Sequence, residues 1–507
     1  MKYIRQIVLV TLLVVVSSCT EWLVIEPEGK VVSTDYWKLE SDVEAVIAAS
    51  YRAMIENDVI QSMIIFGEVR SDNVLGGYNQ NDQLQKIMEA NIQPSNSYVR
   101  WGGFYRVINY ANIVLYYAPQ VIDPNFSVSE LNAKMAEALA IRALSYFYLV
   151  RAYGEVPFVT DPSVTDTQDY LQAKVSEDVI LDALEADLIK AEGWAMTSYG
   201  RPTANKGRIT KNAIRALLAD IYLWRKKYDQ CIEVADRVIN DPLLKMIEAD
   251  EDPYFKIFGL KNSTESIFEL QFSPKNYTLN GVINSYYGNI DNPSGQFIVP
   301  EIITTQNEIF VNTPKVTDIR RKDFITNRSS NNVFNIFKYA GLIRNERSDG
   351  VTSDYVYRIA QSSPANWIVY RLTDVMLMKA EALVQTDQYL PALRIVNTTY
   401  MRSNPTLTDT LSLTEYNDRE KMEKLVLLER QRELMFEGKR WFDLMRMARR
   451  DGNTNRLIEI VTRKLTENQS VVSSKLKVMD ALYFPIHEDE LKANSKLKQN
   501  PYYESKF

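Results

Sequence analysis

His487 is the only imidazole in the 507-residue chain, and that narrows the chemistry at once. A zinc site built on two or three histidines is excluded, and a Ser-His-Asp or Cys-His arrangement would have to run through His487. It stands in Phe484-Pro485-Ile486-His487-Glu488 and reads as a surface turn residue; no Gly-x-Ser-x-Gly elbow and no Gly-rich phosphate loop occurs. Glu429, Arg430, Arg432, Glu433, Glu437, Arg440, Asp443 and Arg446 could be taken for a catalytic carboxylate cluster. At helical spacing, however, Glu429 meets Arg432 or Glu433 and Asp443 faces Arg440 or Arg446. The better reading is i,i+3 and i,i+4 ion pairs that lock helix ends together. A glycoside hydrolase needs two carboxylates about 5–10 Å apart across a cleft. Asp72 with Asp291 is the least implausible pair, and their spacing gives it no support.

What the side chains can do instead is hold a ligand. A sugar presents flat C–H faces and a ring of hydroxyls, so its site needs an aromatic platform with planar polar groups beside it. Tyrosine is abundant, at 30, with 7 Trp. Two segments supply both ingredients. The first holds Arg70, Asp72, Asn73, Tyr78, Asn79 and Gln80, with Trp101 downstream; the second holds Asn276, Tyr277, Asn280, Asn284, Tyr286, Tyr287, Asn289 and Asp291. The expected ligand residues are Arg70, Asp72, Asn73, Tyr78, Trp101, Tyr286 and Tyr287. In an extended stretch only one of the two adjacent tyrosines would face the ligand. Asp72 and Asn73 also suit a turn, and Trp101, opening a helix, also suits a core. No metal and no cofactor is expected.

The elements that must position these residues begin with a leader. Lys2 and Arg5 precede an apolar run from Ile7 to Val16, broken by Thr11, and Val16-Ser17-Ser18-Cys19 follows, the order of a secretory signal. About ten apolar residues fall short of the roughly 20 that span a bilayer core. An aliphatic residue, two small ones and then Cys resembles the bacterial lipobox, whose Cys thiol is diacylated and becomes the new N-terminus. Residues 1–18 are therefore expected to be a lipoprotein signal and Cys19 the lipidation site. Two or three acyl chains would hold the protein firmly, since each buried methylene adds about 0.8 kcal/mol. With Cys19 lipidated, Cys231 is left alone and the fold must rest on core burial without a disulfide. The net charge of −6 is well mixed and no basic patch appears, which argues against nucleic acid.

Helical periodicity dominates the rest. Residues 41–55, 101–117, 131–153, 176–191, 209–224 and 228–239 read as helices, with Ser41 as a cap, Ala136, Ala140 and Ala143 as a small-residue stripe, and Gly154 as a stop. Residues 66–82 read as a loop. Leu218, Ala219, Tyr222, Cys231, Ala235 and Val238 fall at the offsets of a tetratricopeptide hairpin, with a weaker copy at Met376 to Val384. Cys231 then takes a small core position and is inert. Over 250–370 the periodicity fades, Asn, Ser, Pro, Gly and Tyr are dense, and short strand-like pieces appear at 267–272, 333–339, 355–359 and 367–370. The expected organisation is a mostly α, single domain over 19–507. Its tetratricopeptide-repeat-like helical parts cover about 41–245 and 371–450, with a loop-rich insertion at about 250–370.

Four stretches then make a pattern: Ala136-Glu137 and Ile141-Arg142-Ala143 through Tyr153-Gly154-Glu155-Val156-Pro157; Gly207-Arg208-Ile209-Thr210 through Tyr222-Leu223; Tyr370-Arg371-Leu372 and Asp374 through Ala380-Glu381-Ala382; and Glu429-Arg430 through Arg440-Trp441-Phe442-Asp443-Leu444. With the ending Phe484-Pro485-Ile486 to Gln499-Asn500-Pro501-Tyr502, the chain resembles the SusD/RagB family of outer-membrane nutrient-binding lipoproteins over almost its whole length. His487 stands where the family's turn would carry a second proline. The resemblance implies a helical scaffold with an irregular ligand side. It implies a lipid anchor in the outer membrane facing the extracellular side, and a SusC-like TonB-dependent transporter as partner. The implied cargo is an oligosaccharide, or in some members a peptide, bound without turnover. It supplies no fixed set of ligand residues. A glycoside hydrolase and a helical scaffold that binds only protein are the alternatives.

Overall fold

Small side chains decide how closely the helices approach. The computed structural model describes residues 36–504, apart from 79, 165–167, 306–308, 311–316, 328–332 and 347–351; Cys19 and the leader lie outside the described residues. Ten helices of twelve or more residues are numbered here in chain order: α1 Glu40–Met54, α2 Gly102–Tyr117, α3 Val128–Tyr153, α4 Glu177–Trp194, α5 Lys211–Trp224, α6 Tyr228–Ile239, α7 Leu372–Gln385, α8 Tyr389–Ser403, α9 Arg419–Leu434 and α10 Arg440–Asp451. Each packs against its successor, and α6 packs against α7 across the whole insertion between them. The helical stack is therefore continuous in space although it is interrupted in sequence.

Local chemistry fixes the ends. Ser127 Oγ accepts from the Glu130 N–H at 3.2 Å and the Glu130 carboxylate accepts from the Ser127 N–H at 2.9 Å, a capping box that starts α3 three residues before the periodicity does. Gly154, at φ +75°, ends it. Ala136, Ala140 and Ala143 are buried, as are Ala219 and Cys231 at the crossing of α5 and α6. Burial pushes the Cys231 pKa far up, which keeps the thiol protonated and inert. At α1 the start is Leu39, not Ser41: the Asp42 carboxylate accepts from the Leu39 N–H at 2.8 Å.

The insertion is clamped at its neck. Strand β2, Ser266–Leu270, pairs antiparallel with β6, Trp367–Arg371, in the register Trp367↔Leu270, and both are buried throughout. Four shorter strands form one sheet in the order β1-β3-β5-β4: β1 Leu75–Gly76, β3 Phe297–Val299, β4 Ile325–Thr326 and β5 Phe334–Ile336. The pairing Leu75↔Ile298 and Gly76↔Phe297 joins the first candidate segment to the strand that follows the second.

The reading of 66–82 as loop fails at its start. Ile65–Val69 is a buried helical turn of the wide i→i+5 kind, continuing the helix Asn57–Ile64. Gly67 is needed there: an added Cβ would lie 1.8 Å from the carbonyl oxygen of Gly438, itself at φ +68°. Gly67→Ala should destabilise the protein by about 2 kcal/mol or more, since backbone on both sides must shift. Urea unfolding measures it, and a loss below about 0.5 kcal/mol would contradict this contact.

Candidate ligand-binding site

The wide turn delivers the first candidate segment into a buried polar mesh. The Glu68 carboxylate accepts from Asn73 Nδ2 at 2.7 Å and from the N–H groups of Phe436 at 3.1 Å and Gly438 at 2.9 Å. Arg70 donates to the carbonyls of Ala481 and Leu482, both at 2.6 Å, with its guanidinium 4.3 Å from the centre of the Trp441 ring. Asp72 receives Arg440 at 2.8 and 3.0 Å, and Gln431 donates to both Asp72 and Asn73 at 2.9 Å. Lys464 donates to the carbonyls of Ser71 and Val74. Arg70, Asp72 and Asn73 thus lie beneath the surface, their polar atoms taken up by Glu68 and by residues some 360 to 410 positions away.

The second segment also turns inward. Tyr286 and Tyr287 close a short helix, Gly281–Tyr286, and are 1% and 0% exposed. The Tyr286 ring packs 4.7 Å from that of Phe297, and the Tyr287 hydroxyl donates to the Phe436 carbonyl at 3.0 Å. The extended-strand expectation of one tyrosine in and one out does not apply, because a helical turn with a loop after it buries both. Trp101 is 4% exposed, with its ring against Tyr105 and Tyr153.

Tyr78 is the exception, at 95% exposed. It sits in the turn closed by the Gln80 N–H on the Gly77 carbonyl at 3.1 Å, directly after β1. The Gly77 N–H donates to the Gln296 carbonyl at 2.8 Å, and Gln296 Nε2 donates to Ser285 Oγ at 2.7 Å. Gln80 Nε2 donates to Gln85 Oε1 at 2.6 Å on the other flank. Tyr78 thus stands bare beside a backbone tied to Gln296, with the side-chain amides of Gln80 and Gln296 already donating to Gln85 and Ser285. Tyr98, half-buried beside Tyr286, was missed by sequence reasoning; no local pattern distinguishes it from the other tyrosines.

The acid–base run is a tertiary network. Two of the expected local pairs form, Glu429 with Arg432 at 3.5 Å and Asp443 with Arg446 at 2.6 Å. Most of the contacts join different elements. Glu433 meets Arg371 at 2.6 Å, Arg320 at 3.2 Å and Arg402; Arg430 joins Asp443 at 2.9 Å to Asp374 at 3.1 Å; Arg446 meets Glu381 at 2.7 Å. Burial alone would raise the Glu433 pKa, but Arg402, Arg371 and Arg320 override it and hold it well below the carboxylate range. Such a group cannot serve as a general acid. Asp72 is locked to Arg440 while Asp291 is exposed, so the hydrolase pair is not assembled as a matched acid and base. His487 is a helix N-cap rather than a surface turn residue: its side chain is 3% exposed and Nδ1 accepts from the Asp489 N–H at 3.1 Å. Burial and the nearby Arg100 lower its pKa.

With this geometry in view, known proteins are informative. A family model described as "SusD family" matches residues 302–503, and one described as "Starch-binding associating with outer membrane" matches residues 21–223. SusD-like protein P38 of Formosa agariphila is 24% identical over 534 aligned residues, covering 96% of each chain. Among solved structures, a SusD superfamily protein from Bacteroides vulgatus superposes with a TM-score of 0.74 at 18% identity, covering 92% of this chain and 100% of that one. Another from Bacteroides thetaiotaomicron gives 0.71 at 20% identity, covering 92% and 99%. The two models together match most of the chain, the first helices and, separately, the second half of the insertion with the helices after it, and the superpositions show the same fold; the chain belongs to the SusD/RagB family.

Proposed function

We propose that this protein captures an oligosaccharide at the surface around Tyr78 and passes it, chemically unchanged, to a SusC-like TonB-dependent transporter, while a lipid on Cys19 holds it at the outer face of the outer membrane. The observation that carries the reading is the bared Tyr78 ring beside a backbone hydrogen-bonded to Gln296. An exposed aromatic on an ordered base suits the C–H face of a sugar, and flanking amides suit its hydroxyls. The starch-binding description of the matching family model supports the ligand class. In this reading Arg70, Asp72, Asn73, Tyr286 and Tyr287 act from beneath, fixing the platform, and Tyr78 touches the ligand. The pairing of the network carboxylates with guanidiniums supports capture without turnover.

A glycan array followed by titration tests this. Tyr78→Ala should weaken binding of the best glycan about tenfold or more, the loss expected when a ring's burial against a ligand is removed, with no change in thermal stability. New reducing ends on incubation with that glycan would replace capture by hydrolysis. An empty array, with a β-barrel still co-purifying, would leave a protein-binding scaffold.

A further inference from the structure

Away from the Tyr78 turn, a cleft of about 500 Å³ opens between α2, residues 157–163 and 170–172, and the short helix Glu488–Ala493. That volume lies in the range of small-ligand sites. We infer that this cleft is a second saccharide site, sized for one or two pyranose units. The inference rests on the capture reading for its ligand class only.

Three features select the ligand. The first is an aromatic wall: Trp101 and Tyr105 line the cleft with their rings edge to face at 5.7 Å, and Tyr170 lines it as well. The second is a set of unused donors. Trp101 is 96% buried by its 4% exposure, yet its indole N–H makes no hydrogen bond among the described residues, and α2 begins there without a side-chain cap, so the Gly102 N–H is also open to the cleft. The third is an unused acceptor: Glu490 is half-buried and makes no ion pair among the described residues.

The remaining polar lining is already spent. Asn109 exchanges hydrogen bonds with the Ser163 backbone at 2.7 and 3.2 Å, Asn112 donates to the Val159 carbonyl at 3.0 Å, and Arg106 holds Asp58 at 2.8 Å. A purely apolar guest would leave Glu490 and the free N–H groups buried without partners, which is costly. An anion would meet Glu490, and a cation would meet the positive end of α2. A neutral polyol ring satisfies all three features. Its hydroxyls donate to the two Glu490 oxygens and accept from Trp101 and Gly102, while its C–H face lies on the aromatic wall.

The test titrates the full chain with maltose, cellobiose, xylobiose, mannobiose and lactose, following heat and tryptophan emission. At least one disaccharide should bind Tyr78→Ala protein and shift the tryptophan emission, and adding Glu490→Gln should weaken that binding about tenfold, the loss of a charge-assisted hydrogen bond. Glu490 has no ion pair to lose, so this variant should melt with the wild type. Binding by the wild type that vanishes for all five sugars in Tyr78→Ala, or that ignores Glu490→Gln, overturns the cleft and leaves capture at Tyr78 standing. Silence of the wild type toward all five also overturns the cleft, whereas capture itself falls only if longer glycans on the array are silent too.

Discussion

Glu433→Ala should cost about 4 kcal/mol or more and leave little soluble protein. Glu433 is fully buried and receives Arg371, Arg320 and Arg402 from β6, from the segment before β4 and from α8. Removing one partner of a buried ion pair typically costs about 3–5 kcal/mol, because the opposite charge stays behind unpaired. Here three guanidiniums lose a shared counter-charge. They retain Glu437, Asp318, Glu429 and Glu265 as further partners, which keeps the loss from tripling. A domain holds only about 5–15 kcal/mol in total, so the loss is a large share of it. Glu433→Gln, which keeps the volume and one accepting oxygen, should cost less. Glu420→Ala is the control: Glu420 pairs with Lys424 on the exposed face of the same helix, and its loss should stay within about 0.5 kcal/mol. Urea unfolding of the three variants decides, and a Glu433→Ala protein within about 1 kcal/mol of the wild type would show that the network relaxes around the gap.

The same network explains which parts of the molecule could be read from sequence. Helices were legible wherever their apolar spacing is local: α6 begins and ends where its periodicity does, at Tyr228 and Ile239, and Ala219 and Cys231 meet at the crossing their sizes imply. The two neck strands of the insertion were also legible, because Ile267 and Trp367 stand in runs of β-branched and aromatic residues, whereas the short strands Phe297–Val299 and Ile325–Thr326 were not. The depth of polar residues was not legible. Asp72 and Asn73 have the types expected of an exposed turn, and nothing nearby reveals that Arg440 and Gln431 will arrive from α10 and α9 to bury them. A guanidinium and a carboxylate seen at i,i+3 suggest a surface pair; the structure gives Arg430 and Arg446 carboxylates from α7 as well. Tyr286 and Tyr287 were misjudged through the wrong period, since a helical turn can bury neighbours that a strand would separate. Of the expected ligand residues Tyr78 alone is exposed, standing just past the end of β1.

Stability should peak near pH 5 and fall as the pH rises to about 7, and Glu68 should supply much of the slope. Burial pushes the Glu68 pKa up to about 7, against the pull of Asn73 and of the Phe436 and Gly438 N–H groups, from an ordinary value of 4.5. Between those two values the folded chain holds a proton that the unfolded chain has released. Raising the pH through that window therefore removes stability, at about 1.4 kcal/mol for each tenfold difference in proton affinity, or on the order of 3 kcal/mol in all. Asp323, raised by burial to about 7, acts in the same direction. Glu433, Glu381, Asp374 and Glu437 act oppositely: burial would raise them, but the guanidinium and ammonium groups around them hold their pKa values low. Their contribution is full above the ordinary carboxylate value and is lost as the pH falls below it, which sets the acid side of the peak. Urea unfolding at pH 5, 6 and 7.5 measures the profile. Glu68→Gln cannot titrate and should flatten the alkaline limb; a wild-type profile that is level from pH 5 to 7.5, or a Glu68→Gln slope equal to the wild type's, would overturn the assignment. The three N–H donors on Glu68 favour its charged form, so the stability lost above pH 5 is the cost of burying that charge and not a loss of these hydrogen bonds.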